Sequence, residues 1–151
     1  MPTTLKRPRS SVTVQYALRR RGVPAAAALA RWARAAWPSR SLTLRIVGTR
    51  EGRALNRRFR RRDRATNVLS FAYAGEGDIV LCHPVVAREA RAQGKSLRAH
   101  YAHLIVHGVL HLRGYGHDDQ PSARRMEARE IRILRRLGFG DPYTVESSRP
   151  T

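Results

Sequence analysis

Cysteine is almost absent from this chain: Cys82 stands alone, so no intrachain disulfide is possible, and at the end of an apolar run it reads as a small buried hydrophobe. No stretch approaches the roughly 20 apolar residues that a membrane helix needs. Residues 1–11 are basic and proline-containing with no apolar core of about 7–15 residues, which argues against a secretory signal and makes the cytoplasm the expected location. Internal repeats and low-complexity linkers are missing, and 151 residues suffice for one core rather than two. Acidic residues are scarce, 11 against 30 Lys+Arg, for a formal net charge of +19. Such a chain attracts polyanions, of which nucleic acid is the abundant one, and no membrane partner is expected. Lysine is nearly missing too, with only Lys6 and Lys95. A GC-rich genome would explain arginine over lysine but not the excess of positive charge.

What is present divides into short periodic runs. Val12, Val14 and Tyr16 alternate as a strand does, and Pro24 is placed to open a helix through Trp32 to about Ala36, stopped by Pro38. Leu42, Leu44 and Ile46 form a second half-buried strand, after which Thr49 is placed to cap a short helix carrying Leu55 and Phe59. Residues 67–73 read as a third strand and 79–82 as a fourth, separated by the turn-rich 74–77. Helices then follow over 85–93, ended by Gly94, over 97 to about 113, and from the Asp119 cap and Pro121 to Gly138, with Ala123, Met126, Ile133, Leu134 and Leu137 inward. The expected organisation is a basic tail over 1–10, one domain over 11–142 and a loose tail over 143–151.

The segment His107-Gly-Val-Leu-His111-Leu-Arg-Gly-Tyr-Gly-His117 carries the chemistry. Residues four apart share a helix face, so His107 and His111 can converge on one ion about 2.0–2.1 Å from each nitrogen. Gly114 and Gly116 let the chain leave the helix and return with His117. Three protein ligands leave a fourth position open, as in catalytic rather than structural zinc sites. His103 and His111 are separated by about 12 Å of helical rise, while two nitrogens on one zinc lie within about 4 Å. His103 therefore suits an outer partner of the site. His100, further along the same stripe, reads as solvated, and His83 carries no independent signal. Zinc peptidases of this spacing use a glutamate after the first histidine as general base; here that position is Gly108.

Between the second and third strands, Arg57, Arg58, Arg60, Arg61, Arg62 and Arg64 crowd the eight positions from 57 to 64. As a cluster they suit phosphates, with Phe59 expected to anchor them to the core. Glu130 falls on the inward stripe of the last helix, where a carboxylate needs a partner. Either it pairs at half exposure with Arg129 or Arg136, or it turns inward to a site histidine or arginine.

Residues 55–73 (LNRRFRRRDRATNVLSFAY), 77–95, 103–119 (HLIVHGVLHLRGYGHDD) and 126–138 together resemble the bacterial YbeY family of endoribonucleases and rRNA maturation factors, over about 11–142. The resemblance implies an α+β domain, a small mixed four-stranded sheet with about five helices and a metal site at the end of a central helix. It further implies one Zn2+ on His107, His111 and His117, and cleavage of single-stranded RNA in maturing the 3′ end of small-subunit rRNA and in ribosome quality control. The implied partners are rRNA and the small ribosomal subunit, with the protein a monomer. The arginine that the family ties to activity corresponds to Arg60, and Arg57, Arg58, Arg61, Arg62 and Arg64 stand as RNA contacts. Two positions depart from the family's usual pattern: Gly116 replaces an Asp, for which Asp118 or Asp119 is a candidate substitute, and Ala65 replaces a Pro. Two other readings stay open: an RNA-binding assembly factor whose metal is structural, and a metal-dependent amidase or peptidase, disfavoured by Gly108.

Overall fold

Alternation of apolar and polar residues makes β2 (Ser41–Val47) a strand whose Leu42, Leu44 and Ile46 face is wholly buried. In the computed structural model, which describes residues 11–144, β2 pairs in parallel with β1 (Val12–Tyr16) and with β4 (Glu76–Cys82), and β3 (Val68–Tyr73) joins β4 antiparallel. The order β1-β2-β4-β3 leaves β1 and β3 as the edges of a mixed sheet. Helices α1 (Ala26–Ala36), α2 (Thr49–Arg60), α3 (His83–Gln93), α4 (Leu97–Leu112) and α5 (Gln120–Arg136) complete an α+β domain. The expected N-terminal tail and residues 145–151 lie outside the described residues. Tyr143 and Thr144, assigned to the C-terminal tail from sequence, are placed against the domain.

The period of two along β4 sends Ile79 and Leu81 into the main core with α1, α4 and α5, and Val80 and Cys82 into a smaller cluster with Val85 and Leu55 of α2. Cys82 is the buried hydrophobe its context suggested. Helix α4 runs through the middle: it packs on α1, α3, α5, β3 and β4, and is buried on nearly every side. Ser96 Oγ caps its start by accepting from Ala99 N at 3.0 Å, and Asp119 Oδ1 caps α5 by accepting from Ser122 N at 2.8 Å.

Three local readings change. Gly48, not Thr49, holds the N-cap of α2, and Thr49 is its first helical residue, without a side-chain cap bond. The helix expected from Pro24 begins at Ala26. Strand β4 begins at Glu76 rather than 79, because Gly77 is a strand residue: a Cβ there would stand 2.6 Å from Leu112 Cδ1 and 3.2 Å from Leu42 Cδ2. The glycine marks close packing, not a turn.

The β3–β4 turn is therefore two residues, Ala74 and Gly75, with φ of 28° and 82°. Both central positions of such a hairpin require positive φ. An L-alanine in that region is strained by about 1 kcal/mol. Ala74→Gly relieves the strain, and Ala74→Asn tolerates it better; each is expected to raise the urea midpoint without changing the slope of the transition.

Candidate metal centre and nuclease cleft

Helix α4 lies so close to β3 that no side chain fits between them at one point. A Cβ on Gly108 would meet Ser70 Oγ at 3.0 Å and Val68 Cγ2 and Ile79 Cδ1 at 3.3 Å, and Ser70 Oγ donates to the Gly108 carbonyl at 3.1 Å. The glutamate of the peptidases is absent here, and a side chain in its place would have to push these neighbours aside by a few tenths of an ångström. This contact places the last two turns of α4 beside the β3 edge, where His107 and His111 face a cleft of about 160 Å³. The chain leaves α4 through Gly114 at φ 98° and returns His117 to the same cleft. Ring centres are 5.7 Å apart for His107 and His117, and 6.3 Å for His111 and His117. Three imidazoles on one tetrahedral ion would set their centres roughly 5 Å apart, so closure takes movement on the order of 1 Å.

The buried Glu130 of α5 orients one of these rings. Its Oε2 accepts from His107 Nδ1 at 2.6 Å, its Oε1 accepts from His103 Nε2 at 3.2 Å, and the Tyr143 hydroxyl also donates to Oε1. Burial alone would raise the Glu130 pKa, but the bonds from His103, His107 and Tyr143 reverse this and bring it down to about 2. An ionised carboxylate only accepts, so His107 carries a proton on Nδ1, and Nε2 is the nitrogen turned away from Glu130. Burial, then the neighbouring His107 and His117, lowers the His111 pKa and favours the neutral ring that a metal needs. His107, His111 and His117 could together hold a metal ion once the rings close in, and Glu130 is bonded to the first of them.

A second grouping competes for an ion. Ligand atoms of His103, His107 and Glu130 lie within 4.8 Å of one another. That cluster is closed: the Glu130 side chain is fully buried, and both its oxygens already accept hydrogen bonds. A metal there would be structural at most, whereas the cleft opens to solvent.

Arg60 ends α2, and Arg61, at φ 58°, turns the chain off the helix directly after it. The Arg60 guanidinium donates to the Ser70 carbonyl at 3.0 Å, stands over the Phe71 ring at 5.3 Å and lines the cleft with the three histidines. Arg57, Arg58, Arg61, Arg62 and Arg64 are all exposed on the adjoining surface. Asn56 Nδ2 pins their loop by donating to the Arg64 carbonyl at 2.8 Å, and Arg53 grips Asp63 with two bonds of 2.7 and 2.9 Å. Phe59 does not anchor them to the core as expected: it is 48% exposed and packs edge-on against Phe71 at the surface.

The family model described as Endoribonuclease YbeY matches residues 17–138. An Endoribonuclease YbeY of Methylibium petroleiphilum is 57% identical over 118 residues, covering 75% of this chain and 79% of the relative. One from Stenotrophomonas maltophilia is 50% identical over 154 aligned positions, covering 91% and 96%. The chain belongs to the YbeY endoribonuclease family. A solution structure from Thermotoga maritima shares the fold, with a TM-score of 0.54 at 19% identity over 88% of this chain and 99% of that one.

Asp118 Oδ2 lies 4.0 Å from the place of a Gly116 Cβ. Asp119 is engaged as the α5 cap. Ala65 packs against the smaller core. His100 is not solvated but 3% exposed, its Nε2 2.9 Å from Glu89 Oε1. Glu130 turns inward, ending the alternative of half-exposed arginine pairing. Sequence reasoning missed Ser70 and Tyr143, since neither lies in a periodic run that ends at the site. No helix among the described residues is long and apolar enough to cross a membrane.

Proposed function

We propose that this YbeY-family protein is a zinc-dependent endoribonuclease that cleaves single-stranded RNA, acting at the 3′ end of small-subunit rRNA and in ribosome quality control. The observation that carries this reading is the convergence of Arg60 from α2 with His107, His111 and His117 on one open cleft. When bound, zinc would supply Lewis-acid polarisation of the phosphodiester. The chain's own residues do the rest: the imidazoles fix the ion, Glu130 holds His107 in the required tautomer, and Arg60 donates to the phosphate oxygens on which charge develops. A cleft of about 160 Å³ is too small to enclose a drug-sized ligand but suits one phosphodiester of a strand passing over it. The arginines of 57–64 would hold the flanking phosphates.

The test is incubation of purified protein with single-stranded RNA, duplex RNA and unfolded casein, with and without chelator. Chelator-sensitive cleavage of the single strand alone is expected; chelator-sensitive proteolysis without RNA cleavage would overturn the reading.

Arg60 and its neighbours separate by role. Arg60→Ala is expected to lower turnover at saturating RNA by about 10²-fold or more while changing affinity little, as for the loss of one transition-state donor. Arg57→Ala, Arg61→Ala and Arg62→Ala should instead weaken binding, and each should reduce the slope of log affinity against log salt by about 1. Parent-like turnover in Arg60→Ala rejects its assignment.

A further inference from the structure

The chain beyond α5 folds back on the domain. Gly138, at φ 93°, reverses its direction, Phe139 packs edge-on against Trp32 with ring centres 5.6 Å apart, and Asp141 Oδ1 accepts from Tyr143 N at 2.8 Å. This short turn swings Tyr143 against α4. Its ring stands edge-on to His103, centres 5.2 Å apart at 84°, and its hydroxyl donates to Glu130 Oε1 while lying 3.1 Å from His103 Nε2.

The consequence lies in how a carboxylate is held. The terminal torsion of a glutamate is broad and roughly two-fold, so a single bond to Oε2 leaves the group free to rock about it. With Oε1 gripped by both Tyr143 and His103, the carboxylate plane is set and Oε2 points at His107 Nδ1, 2.6 Å away. Burial cannot explain Tyr143, whose side of the contact is open: the residue is 41% exposed, and it is the hydroxyl that reaches the buried acid.

We infer that Tyr143 is a positioning residue for the metal centre, fixing the rotation of Glu130 and through it the tautomer and ring orientation of His107. This rests on the reading of His107 as a metal ligand. The segment after α5 is then a strap: a residue with no access to the cleft sets how firmly the cleft holds its ion.

The test uses the full-length chain with Tyr143→Phe, which keeps the ring on His103 and removes only the hydroxyl. Zinc-loaded protein is challenged with excess chromogenic chelator, and the release rate is expected to rise about 10-fold, the size usual for loss of an outer hydrogen bond to a ligand. Separately, 15N spectra of the metal-free protein should show His107 as a single Nδ1–H tautomer in the parent and as a mixture of both in Tyr143→Phe. Release at the parent rate, or an unchanged single tautomer, overturns the role of Tyr143 and leaves the ligand assignment standing. A parent that takes up no zinc overturns the ligand assignment instead, and the tautomer comparison still decides Tyr143.

Discussion

His111→Ala protein is expected to be purified with no more than traces of zinc, against about one ion per chain in the parent, and to have lost RNA cleavage by more than the roughly 10–100-fold that outer-shell changes produce. His111 is exposed at the end of α4, its ring bonds the backbone of Tyr115, and it lines the cleft with the other two imidazoles and Arg60. His117→Ala should behave alike, since it lies on a separate turn and shares with His111 only the cleft. His103→Ala makes the contrast. If the ion sat in the closed cluster of His103, His107 and Glu130, that variant would lose its zinc while His111→Ala kept it. Elemental analysis of the three variants separates the two arrangements, and full zinc in His111→Ala would sink the ligand set proposed here.

Glu130→Ala is expected to destabilise the metal-free protein by about 3–5 kcal/mol, read from urea denaturation. The size follows from what is stranded. Glu130 is fully buried and serves as acceptor for two imidazoles and a phenol; without it, His103 and His107 lose the acceptor of their inward N–H groups, and the Tyr143 hydroxyl keeps only His103 Nε2. Each such group costs about 1–3 kcal/mol when buried without a partner. A loss below about 1 kcal/mol would mean that this network does not form in solution. In zinc-loaded protein the change should also weaken metal retention, so the two readouts move together for Glu130 whereas His111→Ala moves only one.

The parts of the site legible in the sequence are those with a fixed local period. His107 and His111 are one helical turn apart and His117 follows two glycines, so spacing alone assembles three rings that the fold then brings to one cleft. Arg60 came from family resemblance, and no periodicity would have put it opposite the histidines; that required the hairpin of β3 and β4 to lie between α2 and α4. Strands β1 and β2 are legible from alternation, and β3 from an apolar run bounded by a turn-rich segment. The start of β4 was not, because Gly77 reads as a turn until Leu112 arrives from α4 to fill the space over it. The burial of His100 is not legible for the same reason: its partner Glu89 sits on another helix, and a stripe position cannot reveal a tertiary hydrogen bond. Residue type places Phe59 in the core, yet α2 covers only a small cluster, and Phe59 stays half exposed against Phe71. Tyr143 belongs to no element at all.

Strand β3 is a free edge, and such an edge is a template on which a second chain can add a strand. Here part of that template is occupied from within: the Val68 amide is taken by Asn67 Oδ1 at 2.6 Å, and the Ser70 carbonyl by the Arg60 guanidinium. A positive charge laid along an open strand also repels a copy of itself. Arg60 thus covers part of that edge, and concentrated Arg60→Ala protein is expected to aggregate more readily than the parent, as read by light scattering.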